Sequence, residues 1–484
     1  MGSFDATANN ALRDRLVFIA ILVLAAIARF VGLLHHATMP DEAFTFFIAA
    51  HPVPAIVALL KTGDFHPPLV YLIGHGLLAL TTRAYLLRIV SALFGIAGVA
   101  ATYAVSRRAL GPWGAIVALL VALSPALVFF DGFFRMYAML WSLCMISWAL
   151  LLRALELDRP LRWLAYAICA IALLYTQYLA FFTLAAQIGY VLVFERRRAH
   201  FWIAIAAAFL AFAPWLPIFI AQYPLGGTAY NVMHSHWSQM WQAAPVLLVD
   251  GLPLSLELSP LVSIALWCSL LAGLVLVVVQ RRWLIAALLA PLALQIAYSV
   301  LSGKLLLGQR YLLQAIPVLI MLVVVVAQTL WHTRARPAAL ALVAGLTVMM
   351  AAGTIDKHFL APYMPIDWTE YRRFLDAHVQ PGDAVIFDSS MVYYVLIGSE
   401  AASHRPVFLI TDPKDAVNDA ARAAKLPRVW LIDYQSELPD PQAVAFTTLA
   451  KNHPRFVTWR STQSGYGDVV LTTLFLPAGA KRSP

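Results

Sequence analysis

The sequence predicts an α-helical polytopic membrane protein with a small C-terminal α/β domain, and three observations lead there. The 484 residues are 61% hydrophobic and only 12% charged, whereas a soluble domain carries roughly 25% charge. Apolar runs long enough to cross about 30 Å of hydrocarbon recur through most of the chain. After about Ile355 charge returns, and strand-like runs begin to alternate with helix-like ones.

The apolar runs begin near Leu16, Tyr85, Pro112, Phe134, Arg162, Tyr178, Phe201, Pro260, Trp283, Tyr311 and Pro337, which makes about eleven transmembrane helices. Basic clusters fall at every second boundary: Arg13 and Arg15, Arg107 and Arg108, Arg153 with Arg159 and Arg162, Arg196 to Arg198, Arg281 and Arg282, Arg334 and Arg336. Positive-inside ordering then places the N-terminus in the cytoplasm and, with an odd number of spans, the C-terminal region outside. The stretch from Arg162 to Phe194 is too long for one helix. A turn at Tyr175-Thr176-Gln177-Tyr178 keeps the Arg pattern in phase. Met1 to Arg15 is polar and short and no small-residue cleavage site follows, so Leu16 to Leu34 reads as a retained anchor.

This topology leaves two large outside loops, 35–84 and 223–259, with smaller turns at Asp131, at 175–178 and at 302–309. The first loop is not a polar linker. Glu42 to Ala50, Val53 to Leu60 and Leu69 to Leu80 read as short interfacial helices, broken by Pro52, Pro54, Gly63, Pro67 and Pro68. The membrane domain therefore spans 1–355 and the α/β domain 356–484. In the latter, Asp383 to Asp388, Arg405 to Ile410 and Arg428 to Asp433 read as buried strands, with helices at Trp368 to His378, Pro413 to Ala424 and Pro441 to Asn452. It shows neither a glycine-rich phosphate loop nor paired metal ligands, and reads as a scaffold or acceptor-facing cap.

The formal net charge of +9 does not point to nucleic acid, because the Arg residues sit in short clusters between apolar runs and act as topology signals. Cys144, Cys169 and Cys268 all fall inside apolar runs without ligand-like spacing. Neither a disulfide framework nor a thiolate metal site is indicated. No metal site and no cofactor are expected, although a divalent metal stays open.

Outside the cytoplasmic loops the membrane half offers few acids: Asp41, Glu42, Asp64, Asp131, Asp250, Glu257 and Asp356. Activating a hydroxyl at a membrane needs a carboxylate near the interface that faces a cavity. Asp41-Glu42 is the best placed pair, yet Pro40-Asp41-Glu42 also fits a helix start with acids on the positive end of its dipole. The dipeptide alone leaves both readings open. His66, before Pro67-Pro68, reads by itself as a loop residue. Arg88, Arg135 and Arg310 lie at outer ends of spans, where a retained cation pairs with an acid or an anionic substrate, or snorkels to headgroups. Tyr137, Tyr175, Gln177, Tyr178, His234, His236 and Trp237 gather on the same face, as an aromatic belt or, for a minority, as sugar-stacking groups.

Taken together, Pro40-Asp41-Glu42-Ala43, Gly63-Asp64-Phe65-His66-Pro67-Pro68-Leu69, the Arg88 segment, Arg135-Met136-Tyr137-Ala138-Met139 and Gln309-Arg310-Tyr311 resemble the bacterial GT-C membrane glycosyltransferases. The nearest group includes the protein O-mannosyltransferases and the lipid A aminoarabinose transferase. The C-terminal domain carries no such resemblance. The resemblance implies a multi-pass enzyme of the bacterial cytoplasmic (inner) membrane that moves a hexosyl or pentosyl group from a polyprenyl-phosphate sugar. The acceptor is a lipid, a glycan or a protein. Asp41 would contact the acceptor, with Glu42 as neighbour and possible substitute. Arg135 and Arg310 would bind the lipid phosphate, Arg88 would be more structural, and His66 would line the same cavity. Tyr137, Tyr178 and Tyr311 complete the expected substrate-binding set. On this view Asp41 accepts the proton of the attacking hydroxyl, the anomeric centre inverts, and fixed cations stabilise the leaving phosphate.

Two other functions share the hydropathy. A lipid or glycan transporter would show interrupted helices in repeated halves and ionisable groups near the bilayer midplane. A non-catalytic envelope-assembly scaffold would account for the C-terminal domain but not for Asp41, Arg135 and Arg310 on one face. Both predict that Asp41→Asn spares sugar transfer.

Overall fold

The structure is a computed structural model, and it describes residues 2–31, 33, 39–81, 84–223, 247–249, 259–304, 306–356, 368–388, 393, 406–410, 413–434, 440, 442–462 and 469–477. The chain forms two compact units, 1–35 with 48–361 and 36–47 with 362–484.

The larger unit holds a helix at each of the eleven expected positions. In chain order the helices described up to Ile355 are α1 (Gly2–Phe30), α2 (Pro40–Ala49), α3 (Val53–Gly63), α4 (Leu69–Leu78), α5 (Arg88–Leu110), α6 (Gly114–Ala122), α7 (Pro125–Asp131), α8 (Met136–Leu157), α9 (Pro160–Thr176), α10 (Ala180–Phe194), α11 (Ala199–Phe212), α12 (Leu216–Gln222), α13 (Pro260–Val279), α14 (Trp283–Ser302), α15 (Ile316–Trp331) and α16 (Arg336–Ile355). Seven apolar helical stretches among the described residues are long enough to cross a membrane. One of them, Arg88–Ala122, holds both α5 and α6. Gly111 divides it: its φ of 60° is open to glycine at little cost, and Pro112 follows. The two helices then pack side by side. Helices α9 and α10, of 17 and 15 residues, are shorter, and they part at Gln177 as the Arg pattern requires.

Position in the bundle follows from which faces carry apolar side chains. Helix α8 is the centre, with 78% of its apolar window buried inside the protein, against 28% for α13, α14 and α16. A helix that is apolar all round suits either a core or a lipid face. Here the first kind packs between α5 and α9, and the second exposes residues such as Leu261, Leu271, Val275 and Val279.

The first long loop folds into α2, α3 and α4, the three short helices its proline pattern predicts. Pro52 precedes α3, and Pro67 and Pro68 precede α4. Without an N–H these residues cannot continue a helix, but they can open one. Two side chains pin the loop: His75 Nδ1 lies 3.0 Å from Ala49 O, and Gln222 Nε2 on α12 donates to Leu60 O at the end of α3.

The second unit contains a five-stranded sheet of β1 (Ala384–Phe387), β2 (Val407–Leu409), β3 (Val429–Asp433), β4 (Arg455–Thr462) and β5 (Val469–Leu476), in the order β2-β1-β3-β5-β4. Strands β1, β2 and β3 are parallel, and these three were readable as continuous buried runs. The antiparallel pair β4 and β5 was not expected. Its strand β4 lies at the sheet edge with Arg455 and Arg460 exposed, which hides the apolar signal. Helices α17 (Trp368–His378), α18 (Pro413–Ala423) and α19 (Val444–Asn452) complete the unit. One sheet face buries Val385, Phe387, Trp430 and Leu474 under Tyr371 and Leu375 of α17. The other buries Ile386, Leu431 and Phe475 under Ala416, Ala420 and Leu449 of α18 and α19.

Candidate active site

The centre of the site is built from the break between α3 and α4. Helix α3 ends at Gly63, and Asp64 follows in an extended conformation, so its carboxylate turns back on the next segment. Asp64 Oδ1 accepts from Phe65 N at 2.7 Å, and Asp64 Oδ2 accepts from the hydroxyl of Tyr71, in the first turn of α4. Arg135 closes the group. Its Nη1 donates to Tyr71 Oη at 2.7 Å, and its Nη2 lies 3.7 Å from Asp64 Oδ2. The guanidinium also stands over the Tyr71 ring, 5.7 Å from its centroid, and His66 Nε2 is 3.9 Å from Asp64 Oδ1. Asp64, Tyr71 and Arg135 are all buried. Buried charges persist only where opposite charges and hydrogen bonds compensate their lost hydration. Tyr71 does this by bridging acid and base.

Arg135 reaches this position because the chain before it is anchored. It is the residue just ahead of α8, in an extended conformation. Four residues earlier Asp131 ends α7, and both its carboxylate oxygens are taken: Oδ2 by Arg29 Nε and Oδ1 by Trp141 Nε1, each at 2.8 Å. Arg29 Nη1 donates in addition to Ala25 O at 3.3 Å and Ala122 O at 3.2 Å. Gly95 on α5 lies against this pair so closely that a Cβ there would collide with Asp131 Oδ2 and Arg29 Nε. These bonds tie α7 to α1 and α8, so Asp131 anchors the segment that leads to Arg135.

The other expected residues sit as follows. Asp41 and Glu42 form the first turn of α2, Asp41 half-buried and Glu42 buried, with Thr45 Oγ1 donating to Asp41 O at 2.9 Å. Both belong to the unit that contains the sheet. Arg88 is buried, with Nη1 donating to Leu33 O at 3.3 Å and its guanidinium 5.8 Å from the Phe133 ring centre. Tyr137 is buried edge-on against Phe130. Tyr178 Oη accepts from Trp215 Nε1 at 3.0 Å and donates to Gln222 Oε1, which couples α12 to the end of α3. Arg310 and Tyr311 share the turn Gln309–Tyr311, the guanidinium 5.2 Å from its neighbour's ring centre. Gln295 Nε2 holds Tyr311 O at 3.0 Å, and the next turn, Leu313–Ala315, packs on α8. His234, His236, Trp237, Asp250 and Glu257 lie outside the described residues.

Sequence reasoning counted Asp64 among the few acids without giving it a role, and it did not single out Tyr71. The available signal was their arrangement, an acid and a phenol on either side of a double proline. Arg29 was missed as well, although a lone cation near the end of an apolar run is the same kind of signal as Arg135. Among the described residues no group of three or more His, Cys, Asp or Glu side chains is gathered to hold a metal ion.

Residues 65–218 match the family described as dolichyl-phosphate-mannose-protein mannosyltransferase. No curated protein sequence matches the chain. Among solved structures, ArnT from Cupriavidus metallidurans aligns over 96% of this chain and 98% of its own, at 14% identity and a TM-score of 0.47. The Archaeoglobus fulgidus oligosaccharyltransferase, in complex with Zn and sulfate, aligns over 86% of this chain and 67% of its own, at 11% identity and a TM-score of 0.55. In a second structure of that enzyme, tethered to an acceptor peptide, the values are 92%, 72%, 11% and 0.54. The fold is of the GT-C type, a helical membrane domain followed by a small C-terminal sheet domain.

Proposed function

We propose that this protein is an integral membrane glycosyltransferase that moves a sugar from a polyprenyl phosphate to an acceptor hydroxyl. The observation that carries the reading is Arg135, a buried guanidinium held on Tyr71 and Asp64 at the head of the central helix. A lipid phosphate that leaves the anomeric carbon develops negative charge in a medium of low dielectric, where a pre-placed cation is most effective. The family matched over 65–218 is named for a donor of this chemical class, and that match covers His66, Arg135 and Tyr178.

The reaction then follows in one displacement. The acceptor oxygen attacks the anomeric carbon, the bond to the phosphate oxygen breaks, and the lipid phosphate departs with the bonding electrons. Asp41 takes the proton of the acceptor hydroxyl. It is preferred over Glu42 because Asp41 is partly exposed and Glu42 is fully buried. Arg135 and Arg310 hold the phosphate, and the anomeric centre inverts. Transfer takes place on the outer face of a bacterial inner membrane, where the Arg pattern also puts the C-terminal domain.

The test is transfer by purified wild type and Asp41→Asn in lipid, given radiolabelled polyprenyl-phosphate sugars and a membrane extract as acceptor source. Wild type is expected to release lipid phosphate and label an acceptor, and Asp41→Asn to do neither. Equal transfer by both proteins would remove Asp41 from the mechanism. No transfer from any donor would sink the enzyme reading.

A further inference from the structure

The turn between α9 and α10 has a fixed backbone. Gln177 N donates to Leu173 O at 3.3 Å, and Gln177 O accepts from Ala180 N at 3.1 Å. Three of the four side chains in Tyr175-Thr176-Gln177-Tyr178 have protein partners. Tyr175 donates to Ala211 O at 2.8 Å, Thr176 Oγ1 donates to Ala172 O at 2.6 Å, and Tyr178 sits between Trp215 and Gln222. Gln177 differs. It is only 3% exposed, and its side-chain oxygen is buried without a hydrogen-bond partner. A buried acceptor left unsatisfied destabilises a fold, and in a well-packed protein it calls for an explanation.

The surroundings suggest one. Gln222, which accepts from Tyr178, also holds Leu60 O, four residues before Asp64. Helix α9 packs on α4, which carries Tyr71. Gln177 therefore sits on a rigid turn whose next residue, Tyr178, is tied through Gln222 to the helix that leads into Asp64. An amide oxygen accepts hydrogen bonds and repels phosphate oxygens, so it complements an uncharged donor; the phosphate has Arg135. We propose that Gln177 is a specificity-determining residue that accepts a hydrogen bond from one ring hydroxyl of the transferred sugar. This rests on the glycosyltransferase reading above.

The experiment compares full-length wild type with Gln177→Leu, which keeps the size and loses the polar atoms. Each is given a panel of polyprenyl-phosphate hexoses and pentoses, then deoxy analogues, at each ring position, of the donor that wild type uses. Wild type is expected to prefer the hydroxylated donor over one analogue by roughly 10- to 100-fold in kcat/KM, the factor such a hydrogen bond supplies. Gln177→Leu loses that preference at that position alone and unfolds no earlier than wild type. A variant that keeps the wild-type preference overturns the proposal and leaves the amide to a buried water. Gln177→Met gives the same readout should the leucine variant unfold early. The two readings fail separately: wild type that transfers no sugar removes the glycosyltransferase reading, whereas active wild type with an unchanged preference in the variant removes only the role of Gln177.

Discussion

Among the described residues the larger unit buries two Arg–Asp pairs, and they are built differently. In Arg29–Asp131 the ions touch at 2.8 Å, Trp141 takes the second carboxylate oxygen, and two backbone carbonyls take Arg29 Nη1. In Arg135–Asp64 the nearest approach is 3.7 Å, and the Tyr71 hydroxyl stands between the ions. In the first arrangement the ions are in direct contact and both carboxylate oxygens are bonded within the protein, while Arg29 Nη2 stays buried without a partner. The second is bridged, so a phosphate can take over the guanidinium while Tyr71 still compensates Asp64. Under the proposed function two pairs with the same composition take opposite roles, one fixing helices and one meeting a substrate.

The comparison is broken most easily at the direct pair. Asp131→Ala leaves Arg29 buried without its counter-ion, which costs about 3–5 kcal/mol. Thermal unfolding in detergent should move down by many degrees, with activity lost along with the fold. A variant of wild-type stability would show that the pair is not the anchor described. The bridge makes a smaller and different prediction. Tyr71→Phe removes one hydroxyl between two charges, worth about 1–2 kcal/mol. Transfer should fall roughly tenfold through the KM for the donor, with an unfolding temperature near that of wild type. An unchanged KM would mean that the bridge does not set the position of Arg135.

A third buried acid differs from both in having no cation beside it among the described residues. Asp388 follows β1, its Oδ1 is buried without a hydrogen-bond partner, and the charges acting on it are those of Asp433 and Asp440. Burial first, then these like charges, push its carboxyl up to about 8. The folded state thus holds this proton more tightly than the unfolded chain, whose Asp titrates near 3.9. The contribution of Asp388 is most favourable below that value and is lost progressively as pH rises through about 8. Hydrogen exchange across β1 and β3 should accelerate on raising the pH from 5 to 8, after correction for the intrinsic pH dependence of exchange, and Asp388→Asn should flatten the change. Protection that rises with pH in wild type would contradict the assignment.

Much of the fold was legible because membrane thickness sets the length of each apolar run and the Arg clusters report their phase. That reasoning found the break at Gln177 inside a continuous apolar stretch. It also found the three short helices of the first loop, because proline acts locally. The parallel strands were legible as unbroken apolar runs, whereas β4, with Arg455 and Arg460 on an exposed edge, was not. Pairings were the other blind spot. Arg29 and Asp131 are 102 residues apart and Arg135 and Tyr71 are 64 apart, so nothing local joins them. Arg135 stood out as a cation in the wrong place, but the tyrosine that orients it could be found only in the packed structure.

Whether the bridged guanidinium of Arg135 serves a lipid phosphate is read better from binding than from turnover. Wild type and Arg135→Gln, each in nanodiscs, would be titrated with polyprenyl phosphate lacking a sugar, with Arg29→Lys as a control for the direct pair. Arg135→Gln is expected to weaken binding by roughly 10- to 100-fold, the loss of one charge-assisted contact, while the folded Arg29→Lys protein binds as wild type does. Equal affinity of wild type and Arg135→Gln would remove Arg135 from phosphate binding.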